Sequence, residues 1–232
     1  MNHLFITGTD TEVGKTVVTS LLFKSFIDKG ICVRPFKPIQ TGAYKEGNTL
    51  IAPDVAFYQK IKMIAREKAT HYLFEPACSP HLAGRMANTH IDIETIKKTY
   101  VELSQNYESI LIEGAGGLAV PINESADMAD LAKLLDVPIV IVSRPNLGTI
   151  NHTLQTFYYA QSKGLEVAGV IFSKVSRQRT DIEEENIRFI EERMPVLGCI
   201  PDVKNIDEKL ADENIALELT AHLNIDKLQN HL

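Results

Sequence analysis

The sequence predicts an α/β fold in which a doubly wound, mostly parallel sheet is flanked by helices, with residues 1–232 forming one domain. Three observations predict it. Short apolar runs alternate with amphipathic segments along the whole chain. Several of those runs are apolar at every position, as strands covered by helices on both faces of a parallel sheet must be. The first run ends in a glycine-bearing loop that leads straight into an amphipathic segment, the beginning of a right-handed crossover. At 232 residues the chain can bury one sizeable core, and two full domains would be cramped.

In chain order, the expected strands occupy residues 4–6, 31–36, 110–112, 139–142, 167–172 and 196–200. Behind the first strand, Val18, Leu21, Leu22, Ser25 and Phe26 share one helical stripe that stops at Gly30, a residue suited to a C-terminal cap. A second helix follows Asp92, its expected N-cap, with Ile93, Ile96, Tyr100 and Leu103 turned inward. A third follows Asp127 through Met128, Leu131, Ala132 and Leu135, and a fourth spans about residues 149–163 before Gly164. A fifth follows Asp181 with Ile182, Ile187, Ile190 and Met194 inward, and residues 214–223 form a last helix. Residues 42–91, with Pro53, Pro76 and Pro80, are the least regular stretch and read as an excursion that carries function.

Composition narrows the function. Apolar residues make up 44% and charged residues 23%, ordinary for a globular chain, and the formal charge of −6 disfavours non-specific nucleic-acid binding. No apolar run is long enough to span a bilayer, and the N-terminus lacks the basic and extended apolar parts of a signal peptide, so a cytoplasmic location is expected. Cys32, Cys78 and Cys199 are odd in number, far apart and outside any Cys/His cluster. They read as small buried residues in a reducing compartment.

The chemistry lies at the strand ends. Gly8-Thr9-Asp10-Thr11-Glu12-Val13-Gly14-Lys15-Thr16 follows the first apolar run, and Val17 continues into the helix. Backbone N–H groups of such a loop and of the helix N-terminus point at phosphate, the lysine adds a mobile positive charge, and the threonine hydroxyl reaches Mg²⁺. A nucleoside triphosphate is the expected ligand. The loop is one residue longer than the common Gly-x4-Gly-Lys-Thr form, because its first glycine is Gly8 and not residue 9. After the second run comes Lys37-Pro38-Ile39-Gln40-Thr41-Gly42, where Lys37 can place a second cation beside Lys15 or simply extend to solvent. After the third comes Glu113-Gly114-Ala115-Gly116-Gly117. An acid ending an apolar strand is where such folds hold Mg²⁺, and the glycines allow close backbone approach. Asp54 can complete a carboxylate pair with Thr16 as a further ligand, or serve only the first turn of a helix behind Pro53. Asn151 and His152 begin a helix able to receive a carboxylate, or are merely solvated there. Ser173, and the run Pro201-Asp202-Val203, end the last two strands, where a nucleotide base can lodge. A guanine-reading Asn-Lys-x-Asp box is missing, since Ser173 and Ser176 stand at its ends.

Together, residues 8–16, the Lys-Pro-x-x-Thr-Gly of 37–42, Ser-Pro-His at 79–81, Glu-Gly-Ala-Gly-Gly at 113–117 and Leu-Gly-x-Ile-Asn-His at 147–152 resemble the dethiobiotin synthetase family. The motifs come in the family's order over about residues 3–203, and the longer first loop is that family's own form. The resemblance implies a P-loop, ATP-dependent cyclo-ligase acting with Mg²⁺ on 7,8-diaminononanoate and CO₂. By similarity, Lys37 contacts carbamate and γ-phosphate, and Lys15 the phosphates. Thr16, Asp54 and Glu113 surround Mg²⁺. Glu12, Val13, Gly14, Val17, Gly114, Ala115, Gly116, Ser173, Pro201, Asp202 and Val203 line the nucleotide. Thr41, Gly117 and Asn151 take the diamine and its distant carboxylate, across the interface of a homodimer. Two departures stand out. Ser173 replaces the Asn that many relatives set against adenine, and residues 82–88 depart from the small-residue and Glu-Gly pattern usual after Ser-Pro-His.

Two rival classes fit less well. Amidating synthetases of cobalamin biosynthesis need a glutaminase domain, for which this chain has no room. ParA- or MinD-like switch ATPases carry an extra lysine early in the phosphate loop, where Thr9 and Asp10 stand here, and MinD adds a basic membrane-binding tail unlike residues 224–232.

Overall fold

A computed structural model describes residues 3–66 and 68–229. Residues 1, 2, 67 and 230–232, which include both ends of the expected domain and the end of the weakly charged tail, lie outside it. The strands are β1 (Leu4–Gly8), β2 (Val33–Gln40), β3 (Tyr44–Glu46), β4 (Thr49–Ile51), β5 (Thr70–Leu73), β6 (Ser109–Glu113), β7 (Ile139–Ser143), β8 (Val167–Val175) and β9 (Val196–Pro201). The helices are α1 (Lys15–Asp28), α2 (Pro53–Tyr58), α3 (Pro80–Met86), α4 (Ile93–Ser104), α5 (Met128–Leu135), α6 (Thr149–Ser162), α7 (Asp181–Glu191), α8 (Ile206–Lys209), α9 (Glu213–Thr220) and α10 (Ile225–Gln229).

Seven strands form one sheet in the order β5-β2-β6-β1-β7-β8-β9, and every described pairing in it is parallel. The chain starts at the centre, moves out to β2 and β5, returns to insert β6 beside β1, and then builds the other half. That reversal opens a crevice at the carboxyl ends of β1, β6 and β7, where ligands of doubly wound sheets bind.

The apolar runs face both ways, as expected. Leu4, Ile6, Leu111, Val140 and Ile171 pack on the side of α1, with Leu219 and Leu228 from the C-terminal helices. Phe5, Ile112, Ile139, Ile141 and Val170 pack on the opposite side with Ile96, Leu131, Ala160 and Ile190. The expected Asp92 cap forms, its carboxylate accepting from the Glu94 N–H at 2.9 Å, and at the next helix Asp127 and Asp130 close a reciprocal capping box.

Several expectations need correcting. The excursion is more regular than its prolines suggest, holding the antiparallel β3–β4 hairpin, α2, β5 and α3. Strand β5 reads Thr-His-Tyr-Leu and lies at the sheet edge, so it lacks an apolar run. Strand β2 continues four residues past Phe36 because it changes partner. Residues 33–36 pair with β6, and the later Lys37, Ile39 and Gln40 pair with β5. Ile182 is 55% exposed on the first turn of α7, so only Ile187 and Ile190 of that helix, with Met194 beyond it, face the core. Cys32 is exposed and the other two cysteines are only partly covered, and all three are free thiols. Among the described residues no helix is long and apolar enough to cross a membrane.

One buried group predicts a pH dependence. His3 is 5% exposed, and its Nδ1 accepts from the Ile110 N–H at 2.9 Å. Burial lowers its pKa below the usual value near 6.5. A histidine with a lowered folded pKa binds protons better when unfolded, so its contribution is complete above about pH 6.5 and is lost as pH falls below that value. Urea unfolding at pH 7.5 and 5 should show this loss, and His3→Gln should flatten it; equal slopes for both proteins would remove His3 as the cause.

Candidate active site

The phosphate loop leaves β1 at Gly8 and closes on the first turn of α1. Its tip needs left-handed backbone at Glu12 (φ 54°) and Gly14 (φ 97°). A Cβ at Gly14 would also lie 2.7 Å from the Ser173 hydroxyl, so glycine is required there twice over. The Ser173 hydroxyl donates to the Val13 carbonyl. The Glu12 carbonyl accepts from Arg144 Nη2 at 2.6 Å and from Lys174 Nζ at 3.2 Å. Strand ends β7 and β8 therefore fix the loop from outside. Thr9 adds a hydroxyl contact to Ser143 at 3.3 Å, and Ser143 lies 2.9 Å from both Thr149 and Thr153 at the start of α6.

Lys15 is buried, with Nζ donating to the Asp10 carbonyl at 3.0 Å. Its pKa is pushed down to about 8, first by burial and then by the charge of Lys37, against the opposing pull of Glu113, Asp54 and Asp10. Lys37 is also buried, at 4% exposure, which rules out a lysine extended to solvent. Its Nζ lies 2.6 Å from Asp54 Oδ2, 2.8 Å from Glu113 Oε1 and 3.1 Å from the Gly114 carbonyl. Burial opposes its charge, but the two carboxylates outweigh burial and raise its pKa. The same pairing outweighs burial at Asp54 and lowers that pKa. The position of Lys37 corrects the sequence picture in two ways. It lies inside β2, and β2 is separated from β1 by β6, so Lys37 reaches the phosphate loop's neighbourhood across the end of β6.

Thr16 completes the group. Its hydroxyl is 3.2 Å from Asp54 Oδ1 and 3.0 Å from Glu113 Oε1. One hydroxyl and two carboxylates of hard oxygen chemistry thus converge from α1, α2 and β6. Among the described residues no group of three or more His, Cys, Asp or Glu is arranged to hold a metal ion by itself. This donor set suits Mg²⁺, which is commonly held by one or two carboxylates together with substrate phosphates.

Two residues here were missed in the sequence. Tyr58 is fully buried and donates to Glu113 Oε2 at 2.6 Å. The Gln40 carboxamide accepts from the Asp54 N–H at 3.2 Å and donates to the Thr41 carbonyl at 2.9 Å, tying Thr41 to α2. The only available signal for Tyr58 was its i+4 spacing from Asp54, which places both on one helical face.

The Glu-Gly-Ala-Gly-Gly run packs against the loop: a Cβ on Gly117 would lie 2.9 Å from the Gly8 carbonyl oxygen. Gly14, Val17, Ser173, Pro201, Asp202 and Val203 line a common cavity of about 360 Å³ at the carboxyl ends of β8 and β9. Asn151 comes two residues after Thr149, whose hydroxyl contacts Ser143. It is exposed on the first turn of α6, and its side-chain oxygen accepts from Gln155 at 3.1 Å.

A phosphate loop, two buried lysines and a hydroxyl–carboxylate cluster at the carboxyl ends of a parallel sheet define a P-loop nucleotide-dependent protein. The AAA domain family is matched over residues 2–209. The ATP-dependent dethiobiotin synthetase BioD of Anoxybacillus flavithermus is 43% identical, over 90% of this chain and 96% of that protein. The protein of the same name from Bacillus subtilis strain 168 is 32% identical over 100% and 99%. The chain belongs to the dethiobiotin synthetase family of P-loop proteins. The cell division ATPase MinD of Pyrococcus furiosus superposes with a TM-score of 0.63 at 17% identity, covering 99% of each chain. A ParA family ATPase from Chlorobium tepidum does so at 0.58 and 14%, covering 100% of each. These two share the fold.

Proposed function

We propose that the chain is an ATP-dependent dethiobiotin synthetase that closes the ureido ring of dethiobiotin from 7,8-diaminononanoate and CO₂, releasing ADP and phosphate. The observation that carries this reading is Lys37, buried and charged between Asp54 and Glu113 beside Lys15, on a chain whose relatives bear that name. One amine of the substrate takes up CO₂ as a carbamate. A carbamate oxygen attacks the γ-phosphorus and ADP leaves, giving a carbamic–phosphoric anhydride. The second amine then attacks the carbonyl carbon, loses a proton and expels phosphate. No nucleophilic side chain is needed, because positioning and charge stabilisation carry phosphoryl transfer.

Lys15 and the loop amides, including Glu12, Val13 and Gly14, hold the phosphates, and Lys37 neutralises charge that develops on the transferred group. Thr16, Asp54 and Glu113 would hold Mg²⁺, which supplies further neutralisation on the phosphates. Val17, Ser173, Pro201, Asp202 and Val203 take the base and ribose. Gly114, Ala115 and Gly116 form the wall between nucleotide and substrate. Thr41 and Gly117 meet the diamine, and Asn151 receives its carboxylate across a homodimer interface, in a cytoplasmic enzyme.

Phosphate release is expected to require both diaminononanoate and bicarbonate, and dethiobiotin should form with ATP; CTP and GTP in parallel report on the base cavity. Equal phosphate release from ATP alone would mark a switch ATPase and end this reading.

A further inference from the structure

Glu113 accepts three hydrogen bonds, and they divide its two oxygens by partner. Oε1 faces Lys37 Nζ at 2.8 Å and the Thr16 hydroxyl at 3.0 Å, whereas Oε2, among the described residues, accepts from Tyr58 at 2.6 Å. Tyr58 has no solvent exposure, and its ring sits in a small apolar cluster with Ala52, Val55 and Ala69. The phenol is thus fixed before it meets the carboxylate. It also shares the short helix α2 with Asp54, four residues earlier, so one turn of helix presents a carboxylate and the partner of the other carboxylate together. Facing a carboxylate oxygen, which can only accept, the phenol is the donor of this bond.

We propose that Tyr58 is a positioning residue: by holding Oε2 it turns Oε1 toward Thr16 and Asp54 Oδ1, and so sets the oxygen cluster for the divalent cation carried by a nucleotide. The inference rests on the reading of Thr16, Asp54 and Glu113 as cation ligands. Partners that orient a carboxylate ligand in this way commonly govern metal affinity by about 10- to 100-fold. A tyrosine that merely fills its cluster would influence stability and leave the metal alone.

The test is Mn²⁺ binding in the presence of ADP, followed by electron paramagnetic resonance, for the unaltered protein, Tyr58→Phe and Val55→Ala. Tyr58→Phe deletes one oxygen and should weaken Mn²⁺ binding about 10- to 100-fold, with metal-free ADP affinity unchanged. Val55→Ala loosens the same cluster without touching the hydroxyl and should keep the Mn²⁺ affinity. Equal Mn²⁺ affinity in Tyr58→Phe, an equal loss in Val55→Ala, or failure of Tyr58→Phe to fold would each overturn the proposal. If the unaltered protein with ADP binds no Mn²⁺, the reading of the three ligands fails first, and that result is distinct from the others.

Discussion

Lys37→Ala is expected to lower kcat by about 10³-fold or more, since a buried donor aimed at developing charge is worth about 2.7–4 kcal/mol, and a phosphoryl-transfer cation reaches more. The Michaelis constant for ATP should change far less, because the lost contact acts mainly in the transition state. The substitution also leaves Glu113 and Asp54 facing each other without a cation between them. Removing one partner of a buried ion pair costs about 3–5 kcal/mol, so the variant should melt earlier in EDTA and recover with MgADP. Steady-state phosphate release and thermal unfolding check the two effects. An unchanged kcat would remove Lys37 from the reaction.

Lys15→Ala should act in the opposite sense on stability. The Lys15 ammonium is buried against the Asp10 carbonyl, and burial with repulsion from Lys37 outweighs the pull of Glu113, Asp54 and Asp10 and pushes its pKa down to about 8. A lysine with a lowered folded pKa opposes folding while protonated in both states. That opposition is fully present below about pH 8 and fades as pH rises from there toward its unfolded value near 10.4. At pH 7 the nucleotide-free variant should therefore be at least as stable as the parent, while its ATP affinity falls about 10- to 100-fold with the loss of a charge-assisted contact. Calorimetric titration with ATP measures the second effect and urea unfolding the first. Undiminished ATP affinity would show that Lys15 does not bind phosphate. Together the two variants should separate the buried lysines, with loss of Lys37 read out in stability and turnover and loss of Lys15 in ATP affinity.

Much of the fold was legible because a parallel sheet buried on both faces leaves uninterrupted apolar runs, and because glycine and acidic residues mark helix ends locally. Residues 110–112 and 139–142 were recognisable for that reason, as were the Asp92 cap and the helix that follows Asp127. The extension of β2 was not, since Lys37, Pro38 and Gln40 break the apolar pattern where the strand trades β6 for β5. Edge strand β5 was hidden for a related reason: with one neighbouring strand and partial exposure, it needs no apolar run. Within the site, glycine, lysine and threonine at fixed offsets announced the phosphate loop. Glu113 was visible as an acid at the end of an apolar strand, and Asp54 was ambiguous because its local role as a first-turn residue is satisfied either way. Arg144 gave no sign that it would hold the tip of the phosphate loop, a contact 132 positions away in sequence.

The sequence by itself determined the sheet-and-helix alternation, the phosphate cradle, and the strands that carry Lys37 and Glu113. These follow from side-chain periodicity and from chemistry confined to a few neighbouring residues. Tertiary structure alone decided that β6 enters between β1 and β2, that Asp54 meets Lys37, and that Tyr58 binds the far oxygen of Glu113. Buried charges can persist only where their partners arrive together, and in this chain those partners are brought from distant segments by the order of the strands.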